Sequence, residues 1–274
     1  MHPTETGENM NLSFCSFASG SSGNCYLVKS REASVLIDAG ITTKRIHMGL
    51  EESGTAREDV SAIFVTHEHT DHVKGLKVFT KQNPKVKIYA SEETCGCLMD
   101  KVYDQDSLIC ICEGQTITIG DMHIKPLLVS HDALHPLCYT ISAGESQLTV
   151  MTDTGYVPKK IFDEMVHSDL IIIEANHEVN MLKAGPYPYK LKRRILGDHG
   201  HLSNETAGET VASVMKATPK FRTILLAHLS RENNFPQLAY QTVKNILEEN
   251  GIFKEKDYKL EVLAREGMSG VVNI

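Results

Sequence analysis

Apolar and polar positions change rhythm along the chain. Leu12 to Phe17 reads as a strand, and the small residues Ser19-Gly20-Ser21-Ser22-Gly23-Asn24 after it read as a turn. Cys25 to Lys29 and Ser34 to Ile37 form the arms of a predicted hairpin, and a helix is predicted near Thr43 to Ser53. Ala62 to Thr66 is an apolar, strand-like run that stops at His67. Val86 to Ala90 is a short strand followed by a helix from about Glu92. Two more hairpins are predicted. Thr116–Ile119 and His123–Val129 flank Gly120-Asp121, and Leu137–Ser142 and Gln147–Met151 flank Gly144.

Beyond this point strands and helices alternate. Pro158 to His167 is a helix with proline at its start, and Asp169 to Glu174 a buried strand. Ser203 to Lys216 is a helix capped by Ser203. Strand Thr223–Ala227, helix Pro236–Glu249 and strand Leu260–Ala264 complete the chain. No Pro/Gly/Ser linker separates the hairpin-rich half from the alternating half. The pattern predicts one α/β domain with two sheets over residues 11–274, after a flexible tail at 1–10.

Composition narrows the class. With 41 % hydrophobic and 23 % charged residues, the 274-residue chain is an ordinary globular one. No apolar run approaches the roughly 20 residues needed to span a bilayer. The polar N-terminus lacks the apolar core of a signal peptide. A cytoplasmic protein without a membrane partner is expected. Seven cysteines, an odd number, argue against a disulfide framework. The pairs Cys95/Cys97 and Cys110/Cys112 read as small apolar residues on a helix and a strand, because zinc sites use wider C-x₂₋₄-C spacing.

Thirteen histidines are the unusual number, and three of them lie in Val65-Thr66-His67-Glu68-His69-Thr70-Asp71-His72. This H-x-H-x-D-H segment follows a strand directly. His67 and His69, two apart, can face one cation, while Asp71 and His72 can face a second and open a helix. Imidazole with carboxylate suits a borderline or hard divalent metal in a hydrolytic site. The plainer alternative is a histidine-rich surface loop or a single structural metal.

This motif resembles that of the metallo-β-lactamase-fold superfamily of metallohydrolases. Further segments resemble its YycJ (WalJ) family: Ser19 to Asn24, Leu36-Ile37-Asp38-Ala39-Gly40, Ser130-His131-Asp132, Thr152-Asp153-Thr154-Gly155-Tyr156, Glu174-Ala175-Asn176-His177, Gly200-His201-Leu202-Ser203-Asn204-Glu205 and Ala227-His228-Leu229-Ser230. The resemblance implies a four-layer αββα sandwich, with two mixed sheets and helices outside. It also implies a dinuclear metal centre at one edge and 5′-to-3′ exonuclease action on DNA. Carried over by residue, His67, His69 and His131 bind a first ion, and Asp71, His72 and His228 a second. Asp153 bridges them, and a shared hydroxide is the nucleophile. His135 is an alternative to His131, and Asp153 could instead cap the turn at Gly155.

The resemblance gives His201 contact with the scissile phosphate or protonation of the leaving oxygen, so His201 and Asp71 are the candidate catalytic groups. A seventh ligand or a plain helix-start residue is the alternative for His201. Asp38 would orient a ligand imidazole or a loop amide; it could equally be a turn aspartate before Gly40. His177 would line the pocket or pack in the interior.

The chain's formal charge of −7 opposes a general polyanion surface, since nucleic-acid affinity rests on local cations. One local cluster exists: Lys183, Lys190, Lys192, Arg193 and Arg194, interleaved with Tyr187 and Tyr189. Arginine pairs bind phosphate in bidentate fashion, and aromatics stack on a terminal base. A 5′-phosphate pocket is therefore expected from Arg193, Arg194 and the turn carrying Ser19, Ser22 and Asn24, with Lys192 and Tyr189 beside it. A solvated basic helix face is the competing reading. The expected cofactors are two divalent ions, with Zn, Mn and Fe all compatible with this donor set. The rival functions are a thioester or lactone hydrolase using the same ligands, and a metal-bearing adaptor without turnover.

Overall fold

The computed structural model describes residues 11–274, so the expected tail at 1–10 lies outside the described residues. Fourteen strands divide between two seven-stranded sheets. The first contains β1 (Ser13–Ala18), β2 (Cys25–Lys29), β3 (Ser34–Ile37), β4 (Val60–Phe64), β5 (Lys87–Ala90), β6 (Leu108–Cys110) and β14 (Val272–Asn273), in the order β14-β1-β2-β3-β4-β5-β6. The second contains β7 (Ile117–Ile119), β8 (Met122–Leu128), β9 (Leu137–Ala143), β10 (Ser146–Met151), β11 (Leu170–Glu174), β12 (Arg222–Ala227) and β13 (Tyr258–Val262), in the order β13-β12-β11-β10-β9-β8-β7. Both sheets are mixed: β3 through β6 run parallel, as do β10 through β13, and the antiparallel pairs are hairpins apart from β1 with β14.

The continuous apolar runs reflect burial on both faces. In β11, Leu170 and Ile172 enter the core between the sheets with Phe14, Tyr26, Phe64 and Tyr139. Its alternate residues Ile171 and Ile173 pack outward. They meet a helical layer of α5 (Lys159–Met165), α8 (Asn204–Ala217) and α9 (Pro236–Glu249) through Ile161, Val211, Met215, Val243 and Leu247. On the other side, α1 (Thr43–Glu52), α3 (Leu76–Gln82) and α4 (Glu92–Leu98) cover the first sheet with Ile46, Leu50, Leu76, Phe79 and Leu98. The four layers are thus helix, sheet, sheet, helix, the expected sandwich.

One expected helix start is met, and two local features were not read from the pattern. Thr70–Val73 forms α2 and continues into α3, so Asp71 and His72 do open a helix. The segment 179–195 forms two short helices, α6 (Val179–Ala184) and α7 (Tyr189–Ile195). The last expected strand lies two residues earlier, and β14 follows to pair with β1 through Ser13↔Asn273. β14 is two residues long, too short for an alternation signal.

Cys95 and Cys97 lie on α4 as expected, whereas Cys110 ends β6 and Cys112 lies two residues beyond it, both exposed. The register aligns strand ends. Ile37 pairs Phe64, Met151 pairs Ile173, and Glu174 pairs Ala227. The carboxyl ends of β3, β4, β10, β11 and β12 therefore deliver Asp38, His67, Asp153, Glu174 and His228 to one edge of the sandwich.

Candidate metal centre

Backbone strain marks this edge. Asp38, Asp153 and His228 adopt φ of 61°, 56° and 53°, three of the four positive-φ non-glycine residues described. Asp and His tolerate this left-handed region better than most residues, and it still costs free energy. Each lies just beyond the end of its strand, where the turn aims the side chain back between the sheets. Gly40 shows how tightly the loops close: a Cβ there would lie 1.6 Å from the Asp71 carbonyl oxygen. A hydrogen bond from Asn24 N to that same oxygen (2.8 Å) locks the turn before β2 to the metal-motif loop.

Each ring is then held from outside. His72 Nδ1 donates to Asp38 Oδ2 at 2.7 Å, while Asp38 Oδ1 accepts Thr66 N at 2.8 Å. His67 Nδ1 meets Thr66 Oγ1 at 3.0 Å. His131 Nδ1 donates to the Gly200 carbonyl at 3.1 Å. In each case the opposite nitrogen is left to face the cluster. His67 Nε2 lies 3.0 Å from His69 Nδ1. His72 Nε2 lies 3.6 Å from Asp71 Oδ2 and 3.5 Å from Asp153 Oδ2, and His131 Nε2 lies 3.8 Å from Asp153 Oδ1. Outer partners that fix tautomer and orientation are the usual support of metal-binding imidazoles.

Three groups of side chains bring their donor atoms within 4.8 Å of one another among the described residues: His67, His69 and His131; His67, His72 and Asp153; and Asp153, Glu174, His201 and His228. The donor set fits a divalent ion. Asp153 Oδ2 and His228 Nε2 are buried without a hydrogen-bond partner among the described residues, which is costly unless something else engages them. Asp153 belongs to two of the three groups, the place a bridging carboxylate would need. The expected second triad is only partly assembled: Asp71 and His72 meet, but His228 Nδ1 turns to Asp153 Oδ1 and Glu174 Oε1, each 3.1 Å away.

The electrostatics are those of a cation site. Burial raises the Asp153 carboxyl, but His228 and His72 outweigh it and hold it well below its ordinary range. Burial lowers His72, but Asp38 and Asp153 override this and push it up to about 9. His67 is held well below its ordinary value by burial and by the charge on His72.

Glu174 was missed as a side chain of the site. It is fully buried, accepts His201 Nδ1–H at 2.7 Å through Oε1, and accepts Thr154 N and Leu202 N through Oε2. Its only sequence signal is a carboxylate closing the apolar strand Leu170 to Glu174. Orienting His201 in this way leaves Nε2 as the ring nitrogen without a hydrogen bond among the described residues.

The expected phosphate turn reaches a cavity through Ser21 and not through Ser19 or Asn24. Ser19 and Asn24 are buried structural groups: Ser19 Oγ accepts His228 N at 2.9 Å, and Asn24 Nδ2 lies 3.1 Å from His72 Nε2. A cavity of about 170 Å³ beside His201 is lined by Ser21 of that turn and by the expected Arg194, together with Asn176, Tyr187 and Ser230. Arg194 also pairs with Asp132 at 2.6 Å. Ser22, Tyr189, Lys192 and Arg193 do not line it. Arg193 lies over the Tyr189 ring, and Lys192 donates to the Lys183 carbonyl. His177 is buried, has no hydrogen bond to either ring nitrogen, and faces a separate cavity with Asn180 and Glu205. His135 lies by Glu93, 3.7 Å away, outside the three donor groups.

Residues 33–228 match a family model described as the beta-lactamase superfamily domain. The chain belongs to that superfamily. It is a hydrolase of the metallo-β-lactamase fold. Among curated proteins it is 38 % identical over 244 residues to exodeoxyribonuclease YycJ of Bacillus anthracis, covering 88 % of this chain and 91 % of that one. It is 37 % identical over 247 residues to exodeoxyribonuclease WalJ of Streptococcus pneumoniae, covering 89 % and 91 %. The chain is thus a member of the YycJ/WalJ family. Among solved structures, the metallo-β-lactamase fold protein YhfI of Bacillus subtilis superposes with a TM-score of 0.72 at 16 % identity, covering 96 % of this chain and 99 % of that one. No helix among the described residues is long and apolar enough to cross a membrane.

Proposed function

We propose that this hydrolase is a phosphodiesterase acting as a 5′-to-3′ exonuclease on DNA, with two divalent ions held at the strand ends and residues 11–274 acting as one domain. The observation that carries this reading is the placement of His201: its Nδ1–H is taken by buried Glu174, and its ring lines the Arg194 cavity next to the Asp153 cluster. An acyl substrate needs neither the guanidinium nor that imidazole. The names of the YycJ and WalJ relatives agree with a DNA substrate.

His67, His69 and His131 would hold one ion, and Asp71, His72 and His228 the other, with Asp153 between them. Such ions supply an activated water and neutralise phosphoryl oxygens. The chain's own groups do the rest. Arg194, Ser21, Asn176 and Ser230 seat a terminal phosphate, so the first phosphodiester falls over the cluster. As water adds to phosphorus and the P–O3′ bond breaks, His201 gives a proton to the departing oxygen, and Glu174 stabilises the imidazolium before that transfer. The products are a 5′-nucleotide and a strand shortened by one residue, again ending in a 5′-phosphate. Asp38 keeps His72 oriented throughout.

The test offers single-stranded and duplex DNA and RNA, with and without a 5′-phosphate, in Mn²⁺ or Zn²⁺ against an EDTA-treated control. Mononucleotide release from 5′-phosphorylated DNA supports the proposal. Turnover of thioesters or lactones alone would move the assignment to the acyl-hydrolase reading, and no turnover with any metal would favour an adaptor.

A further inference from the structure

On the other flank of the cluster lies a wider groove of about 550 Å³, whose walls include His131 and Ser130. His199 lines both this groove and the Arg194 cavity, so the two openings adjoin. Large apolar side chains stand exposed in it: Leu134 at 61 %, Tyr156 at 49 % and Leu128 at 38 %. Exposed apolar surface concentrated beside a reaction centre calls for an occupant.

The backbone that carries two of these side chains is tied to the centre. Leu134 stands three residues beyond His131, and Tyr156 three beyond Asp153. The Leu134 amide donates to Glu68 Oε1 at 3.0 Å, tying that loop to the His67-Glu68-His69 segment. Tyr156 is fixed through its carbonyl, which accepts Thr154 Oγ1 at 2.6 Å, and the preceding Gly155 amide donates to the Ser130 carbonyl at 2.9 Å. A planar group resting on Leu134 and Tyr156 would therefore be held in register with the cluster.

We propose that Leu134 and Tyr156 form a stacking platform for the nucleobase on the 3′ side of the scissile phosphate. This rests on the nuclease reading above and adds which residues receive the retained strand. The terminal phosphate occupies the Arg194 cavity, the first diester crosses the cluster, and the next base enters the groove. Lys159 and Lys160 also line the groove; among the described residues they pair with exposed or half-exposed Asp163 and Glu113, and they can turn to the strand's phosphates. Aromatic stacking tolerates any base, since every base offers a π-face.

The experiment measures kcat/KM on a 5′-phosphorylated oligonucleotide and on methyl p-nitrophenyl phosphate, a diester without a nucleobase. It also uses the same oligonucleotide made abasic at its second nucleotide. Tyr156→Ala and Leu134→Ala should each lower the ratio of oligonucleotide to small-diester kcat/KM by about tenfold, mainly through KM. Tyr156→Phe should keep the ratio. Wild type should lose about the same factor on the abasic strand, and Tyr156→Ala should lose no more there. Metal content and thermal melting of each variant separate this effect from misfolding. An unchanged ratio in both alanine variants, or equal further losses on the abasic strand, would overturn the platform while leaving the nuclease reading standing. Failure of the wild type to cleave any oligonucleotide would overturn both. So would a Tyr156-dependent KM for an acyl thioester with no oligonucleotide cleavage, which would assign the groove to an acyl tail.

Discussion

The buried crescent of imidazoles and carboxylates and the basic rim beside it use their charged groups in opposite ways. In the crescent, outward ring nitrogens are tied to Asp38, Thr66, Gly200 or Glu174, leaving few orientations open. On the rim, Arg193 lies on Tyr189, Lys192 reaches a backbone carbonyl, and Arg194 shares an exposed pair with Asp132. Buried groups are over-determined because each unpaired one is costly, whereas exposed pairs contribute little and rearrange freely. On the proposed reading, the crescent fixes the chemistry and recognition is left to groups that can move.

The largest expected effect comes from Asp153, the carboxylate shared by two donor sets. Asp153→Ala should remove metal and turnover together, a loss beyond the 10–100-fold typical of outer-shell changes. Elemental analysis alongside initial rates checks this, and a variant that kept full metal and rate would break the contrast at its centre. Asp38→Asn and Glu174→Gln act one step out. Each should cost roughly 10–100-fold in metal affinity or activity. Glu174→Gln should lower kcat more than metal content, because Glu174 holds His201 as well as facing His228.

Acidity gives an intermediate effect. His72 stands raised to about 9, with burial opposed and outweighed by Asp38 and Asp153. In the metal-free protein its proton stabilises the fold below the unfolded value of about 6.5, and that contribution is lost as pH rises through about 9. An ion must displace the same proton, so metal affinity should rise by about tenfold per pH unit per proton released up to about pH 9. Calorimetry in buffers of different ionisation enthalpy counts the protons, and pH-independent binding would contradict the orientation given to His72. The smallest effect belongs to the rim. Arg194→Ala should raise KM for 5′-phosphorylated strands by about tenfold, the worth of one charged hydrogen bond. Stability should change by less than about 1 kcal/mol, since the Asp132 pair is exposed.

The same contrast explains what could be read from the chain. The H-x-H-x-D-H spacing, the apolar runs ending at His67 and His228, and the Gly120 and Gly144 hairpins all carry local signals, and the fold was legible from them. Family resemblance added His131 and Asp153. Glu174 carried no spacing signal, because its partners lie 27 and 54 positions on in the chain, at His201 and His228, and only the parallel register brings them together. Ser19 and Asn24 misled for the opposite reason: a Gly/Ser turn reads as an anion cradle, but here their polar atoms face His228, His72 and Tyr26. The basic run was visible as charge, while the side chains that line the Arg194 cavity were decided by helix phase and by neighbours distant in sequence.

Native mass spectrometry of the purified chain, loaded with Mn²⁺ or Zn²⁺ and compared with Asp153→Ala, tests the central claim most directly. Two ions per wild-type chain, a clear loss in the variant and oligonucleotide hydrolysis that follows occupancy are the results expected. A wild-type chain that holds at most one ion, or that cleaves equally well when stripped of metal, would contradict the account.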